Sequence, residues 1–239
     1  IAAGRCRRAL TGSAIAYRAE TLIWILSTTM PAVMLLLWEA VASDGPIGAM
    51  SVPAFRRYFL ATYIVRQLCG CWVAWQINVE MRDGTFALRL LRPSHPIGML
   101  AIEQLASTAF RCLLSLPIAL VVLAIFAPSL VPCSPVAALV LVTSLVGGWL
   151  LTFYVNVLAG FAAFYTDQSN KFMDLWTAFF FALSGYLIPT SLFPPMLVHT
   201  AEVLPFRFQL GFPVEVMTGL VPLERAWGPL ALQWVYVAV

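Results

Sequence analysis

VAALVLVTSLVGGWLLTFYVNVLAGFAAFY, residues 136–165, runs for 30 residues without one charged side chain. At about 1.5 Å per residue, a helix of that length reaches about 45 Å, beyond the roughly 30 Å hydrocarbon core of a bilayer. The run reads as a membrane span that tilts, kinks near Gly147-Gly148 or protrudes. Residues 166–171 form a tight polar turn. Residues 172–188 are a second apolar run, just long enough to cross, that stops at Pro189. Upstream, Pro128, Pro132 and Pro135 mark a short loop after a span at 105–127, with Arg111 in its first turns. Two more spans precede it. One covers 22–41, contains Pro31 and ends at the interfacial pair Trp38-Glu39; the other covers 58–79, follows Arg56-Arg57 and holds Arg66.

Residues 189–229 break this pattern. Pro189, Pro194, Pro195, Pro205, Pro213, Pro222 and Pro229 leave apolar pieces at 195–204 and 213–220 that are too short to cross. They fit interfacial or re-entrant helices that protein must shield, because bare backbone is costly in lipid. A sixth span starts near Leu230 with only its first turns present, and native residues are expected beyond both ends of the sequence. In residues 1–20, Arg5, Arg7, Arg8 and Arg18 alternate with Cys6, Leu10, Ala14 and Tyr17 at spacings of three and four. That pattern fits an amphipathic interfacial helix and, almost as well, a frayed basic terminus.

Composition agrees. Of 239 residues, 61% are hydrophobic and 10% charged, with a mean hydropathy of +0.88. Soluble domains run at about 45–50% apolar and about 25% charged. A water-soluble domain and a disordered chain are both excluded. The expected fold is all-α: a single polytopic membrane domain over 1–239 with six transmembrane helices.

The net charge of +3 is too small to argue for a nucleic-acid partner. Cys6, Cys69, Cys71, Cys112 and Cys133 form no Cys-x-x-Cys pair, and His95 and His199 stand alone, so no metal site, disulfide framework or catalytic cluster is expected. Arg5, Arg7, Arg8, Arg18, Arg82, Arg89, Arg92 and Lys171 fall on one side of the spans, against Arg56, Arg57, Arg207 and Arg225 on the other. Basic residues concentrate inside, so the N-terminus is placed inside and residues 189–229 outside.

The polar segment at 80–96 carries the sharpest motif: Met81-Arg82-Asp83-Gly84-Thr85-Phe86-Ala87-Leu88-Arg89-Leu90-Leu91-Arg92-Pro93. As a helix it places Thr85, Arg89 and Arg92 on one face and Phe86, Ala87, Leu90 and Leu91 on the other. Gly84 breaks the preceding helix and Pro93 ends the new one. The helix either braces a loop or serves as a docking knob for a cytoplasmic partner.

Arg-x-Gly followed by Leu-Leu-x-Pro after the second span resembles the permeases of type-two ATP-binding-cassette exporters, and a bacterial branch of about this length most closely. Tyr17-Arg18-Ala19-Glu20, Trp38, Ser184-Gly185-Tyr186-Leu187-Ile188-Pro189, Leu192-Phe193-Pro194, Leu204-Pro205-Phe206 and Phe212-Pro213 with Gly219 fit the same family. The resemblance implies six spans, an N-terminal interfacial helix, a cytoplasmic coupling helix at 80–96 and outer re-entrant helices before the last span. It implies two partners in a bacterial inner membrane: an ATPase subunit that carries ATP and Mg, and a second permease as homo- or heterodimer. By position, Arg82, Asp83, Gly84, Leu88, Arg89, Leu90, Leu91 and Arg92 become the coupling residues. The chain itself has no P-loop, since its only Lys, Lys171, follows Asn170.

Arg66 and Arg111 are the intramembrane charges. A charge at mid-bilayer costs about 2.5–3.5 kcal/mol on the insertion scale and so faces protein or water. They line a substrate path that meets an anionic headgroup, or they snorkel, which suits Arg111 better. Asp167, Lys171 and Asp174 read as a solvated cluster, and Glu202, Glu215 and Glu224 as solvated by default. Trp176, Phe179-Phe180-Phe181 and Tyr186 read as lipid-facing or core packing rather than a lipid path, and Gly147-Gly148 and Gly160 as points of close helix contact. The alternative function is an ion-coupled secondary transporter, which normally places acidic residues in the membrane and shows inverted repeats. Neither is visible here. A lipid-modifying enzyme lacks its nucleophile and acid–base cluster.

Overall fold

The fold is seen in a computed structural model that describes residues 30–48, 50–126, 134–165 and 169–239. The interfacial helix expected in residues 1–20, the start of the first span, the proline loop at 128–132 and Asp167 lie outside the described residues. Among those residues the chain is helical, and the only strand-like feature is a bridge between Ile47 and Met50. The first helix, α1, covers Met30–Val41. Its Trp38 stacks on Phe55 at 5.3 Å between ring centroids and donates its indole N–H to the Leu187 carbonyl at 3.0 Å. Glu39 pairs with Arg56.

The stretch expected as the second span is not one helix. It divides into α2, Val52–Cys69, and α3, Val73–Arg82. At the break Gly70 takes an extended conformation, φ −64° and ψ 135°, while its N–H still closes the last turn of α2 on the Arg66 carbonyl. After a five-residue helix α4, Phe86–Leu90, the chain enters α5, Pro96–Phe126. This third span therefore starts about two turns before the expected Leu105.

The 30-residue run forms α6, Pro135–Phe161, extended by a 3-10 turn at Ala162–Phe164. By length and composition, Pro135–Phe164 is long and apolar enough to cross a membrane. The helix runs through Gly147-Gly148 without interruption. The glycines serve close approach. A Cβ on Gly160 would lie 2.7 Å from Ile77 Cδ1, and one on Gly147 would lie 2.9 Å from Gln233 Cδ. The opposite stripe, Leu139, Val142, Val146, Tyr154 and Leu158, is exposed. That distribution suits a lipid surround, where outward apolar side chains cost nothing. α6 packs against α2 and α3 and against the helices at Ser169–Leu183, Pro205–Gln209, Gly211–Thr218 and Leu223–Ala238.

α7, Ser169–Leu183, ends five residues short of the expected Ile188. The chain then turns at Gly185, φ +85°, whose carbonyl accepts the buried Tyr58 hydroxyl at 2.8 Å. The proline-rich segment forms three short helices, α8 Pro195–Val203, α9 Pro205–Gln209 and α10 Gly211–Thr218. The last helix, α11 Leu223–Ala238, starts two turns before the expected Leu230 and accommodates Pro229 in its second turn. Gln233 fixes it, donating from Nε2 to the Ser144 and Phe208 carbonyls, both at 2.9 Å.

Candidate functional site

α3 stops because Asp83 caps it and Gly84 follows at φ +72°, a left-handed position that favours glycine. The turn throws the chain into α4. Phe86 is buried there, edge-on to Phe161 at 6.2 Å and Phe164 at 5.6 Å, which anchors the segment to the lower end of α6.

The amphipathic pattern holds only in part. Phe86 is buried and Thr85 and Arg92 are exposed, but Arg89, on the polar face by its spacing, is buried. Its Nε and Nη2 donate to both carboxylate oxygens of Glu80 at 2.9 and 2.5 Å. Its Nη1 and Nη2 donate to those of Glu103 at 2.9 and 3.1 Å. Gln76 adds Nε2 contacts to Glu80 at 3.1 Å and Glu103 at 2.8 Å. The hydrogen bonds from Arg89 hold both carboxyls below their ordinary value, and the two carboxylates in turn raise the guanidinium. Glu80 lies in the last turn of α3 and Glu103 near the start of α5, so one side chain clasps three elements.

The leucines point the other way. Leu88 is 62% exposed, Leu90 56% and Leu91 82%. Ala87, Arg82, Asp83, Gly84 and Arg92 are exposed too. Beside them lies a hollow of about 350 Å³ lined by Phe86, Leu90, His95, Ile97, Phe161 and Phe164. The eight coupling candidates therefore share one protrusion, with Arg89 as its root and the leucines as its tip. Sequence reasoning missed Glu80 and Glu103. The signal was present: a Glu ends one span and another opens the next, around an Arg set between leucines.

Arg66 and Arg111, expected from sequence to lie within the membrane, both lie at the break between α2 and α3. Nη2 of Arg111 donates to the Gly70 carbonyl at 2.7 Å and to Thr108 Oγ1 at 2.9 Å, and Gln104 Nε2 reaches the same carbonyl at 3.2 Å. Arg111 thus caps α2 rather than snorkelling to the inner face. Arg66 lies one turn earlier, its guanidinium carbon 5.4 Å from the Phe180 ring centroid and 5.9 Å from that of Tyr186. The aromatic run is split: Phe180 and Tyr186 are buried, while Phe179 is exposed.

On the proline-rich side, Arg207 and Glu215 correct the reading of solvated charges. Both are buried, with Arg207 Nη2 2.5 Å from Glu215 Oε2 and the Thr190 hydroxyl donating to Oε1. Glu202 and Glu224 remain exposed. Arg207, like Arg89, is thus neutralised within the fold.

Over residues 23–239 the chain matches the family model described as ABC-2 family transporter protein. No curated protein and no solved structure matches it.

Proposed function

The chain belongs to the ABC-2 family of transporter proteins, and from that premise, as a membrane-integral permease, we propose that it is the transmembrane subunit of an ATP-driven exporter. A separate ATPase subunit binds and hydrolyses ATP with Mg. Two permeases, identical or sister chains, form the pathway in a bacterial inner membrane with the N-terminus inside. Six spans complete each permease, the first and last being α1 and α11 with the residues that adjoin them.

The observation that carries this reading is the α4 protrusion. Exposed leucines on a short arm are unfavourable in water unless a partner covers them. Here they crown an arm clamped at its root by Arg89, so the arm is presented rigidly. ATP binding closes the ATPases against the leucine tip. The displacement passes through Arg89 to Glu80 and Glu103, and so to α3 and α5 together. Substrate then leaves outward, past Arg66 and Arg111.

The test is purification from the native host in mild detergent, with mass spectrometry of the co-purifying chains. An ATP-binding-cassette ATPase in near-equal amount is expected, and a second permease identifies a heterodimer. Absence of any ATPase, under conditions that keep known transporters of this class intact, overturns the reading and returns weight to the ion-coupled secondary transporter.

A further inference from the structure

We propose that the break between α2 and α3 is a binding site for the anionic group of an amphiphile, with the Arg66 guanidinium as its contact. In the proposed topology the Arg89 clasp lies at the inner boundary, and the depth is counted from it. Arg111 lies two turns beyond Glu103 along α5, about 12 Å deeper. Arg66 faces the same level, because Arg111 holds the Gly70 carbonyl one turn away from it. Both cations therefore lie within the roughly 30 Å hydrocarbon core.

Neither has a carboxylate partner among the described residues, where the ion pairs join Arg56 to Glu39, Arg89 to Glu80 and Glu103, His199 to Glu202, and Arg207 to Glu215. Their own stretches of chain offer none: from 51 to 79 and from 104 to 126 there is no Asp or Glu. Two unneutralised guanidiniums at one depth create a positive potential that an anion relieves. Arg111 is committed to Gly70 and Thr108, and its buried Nε has no partner. Arg66 is half-buried and meets the faces of Phe180 and Tyr186, which attract a cation weakly and leave its N–H edge for a stronger acceptor. The ligand's body is apolar, since a molecule whose head reaches a cation within the hydrocarbon core carries the rest of its length among lipid tails. A phosphate or carboxylate head on an acyl or polyprenyl body has this chemistry.

Two sources share it, a transported cargo and a resident lipid. Naming it as cargo rests on the exporter reading; binding does not. The probe is pyrene-labelled phosphatidylglycerol in phosphatidylcholine nanodiscs holding the full chain, read by energy transfer from tryptophan, with pyrene-labelled phosphatidylcholine of the same acyl chain as reference. The anionic probe is expected to half-saturate at a mole fraction at least about tenfold below the reference. Arg66→Gln brings the two within about twofold, and Arg66→Lys keeps the preference. Equal saturation on the wild-type chain overturns the proposal without any variant, and so does a tenfold preference that survives Arg66→Gln. With the co-purified ATPase, ATP and Mg added, release of the probe supports cargo, and retention overturns cargo in favour of a resident lipid. Failure to find an ATPase removes the exporter reading but leaves the nanodisc result intact.

Discussion

Replacing Arg89 with Met keeps the length and apolar stem of the side chain and removes the clasp. Four charge-assisted hydrogen bonds are lost, and Glu80 and Glu103 are left facing each other. Breaking a buried ion pair by removing one partner costs about 3–5 kcal/mol. The Glu103 side chain is 41% exposed and that of Glu80 19%, so water recovers part of this. The net loss is about 2–3 kcal/mol. It falls on α4 and not on the whole fold, because α4 holds otherwise by Phe86 alone among its buried side chains. Amide exchange across 85–91 should therefore accelerate by roughly 30- to 150-fold, one decade per 1.36 kcal/mol. Amides of α6 should stay as they are. Arg89→Lys should fall between, since an ammonium replaces the fork with a single point charge. Hydrogen exchange with mass spectrometry on the full chain in nanodiscs reads all three. If exchange of 85–91 in Arg89→Met stays within threefold of the wild type, Arg89 is not what holds the arm.

Leu90→Asp with Leu91→Asp should leave the purified yield and α4 exchange unchanged, because both side chains are already exposed, and should uncouple ATP hydrolysis from transport by at least tenfold in reconstituted vesicles. The acid response of the clasp has a defined sign. Glu80 and Glu103 sit below their ordinary value of 4.5, so their pairing contributes stability that is fully present above that pH and is lost as pH falls through the depressed folded values. Exchange of 85–91, corrected for its intrinsic pH dependence, should be flat above about pH 5 and rise below pH 4.5, and the rise should vanish in Arg89→Met. Gly160→Val should push α3 from α6, since even a Cβ would lie 2.7 Å from Ile77 Cδ1. A loss of about 1–3 kcal/mol is expected, read as a lower thermal midpoint in detergent.

Fold class was legible because it depends on composition and run length, and a 30-residue uncharged run has few other uses. Helix ends were less so. The break at Gly70 has no proline and interrupts an apolar stretch, so periodicity alone does not mark it; the Arg111 and Gln104 side chains that make it tolerable come from another span. The last helix was placed late because Pro229 looked like a boundary, whereas α11 starts before it and continues through it at the loss of one i→i−4 hydrogen bond. In the candidate site, location was legible and orientation only in part. An amphipathic pattern says which residues share a face. Which face looks inward depends on what the neighbours offer, and Arg89 turns inward because two carboxylates wait there.

The burial of Arg89 bears on how force would travel in the proposed exporter. An arm rooted by apolar contact alone slides, since such contacts have no preferred direction. A guanidinium fork shared between two carboxylates resists both sliding and rotation, because each oxygen is matched to one N–H. The break at Gly70 then limits where the motion goes. α3 can follow the arm without carrying α2, whose last turn is closed at Gly70 and whose carbonyl there is held by α5 through Arg111. α5 is thus gripped twice, by Arg89 at its inner end and by Gly70 at mid-depth. A push on the leucine tip that shifts α5 must also move the Gly70 carbonyl or break its bond to Arg111. Either way the disturbance arrives one turn from Arg66, the unneutralised cation at mid-depth. Arg111→Met would remove the hold of α5 on that carbonyl. Arg89 and the leucines would be unchanged, so ATP hydrolysis should persist while transport stops; transport at the wild-type rate in this variant would refute this route.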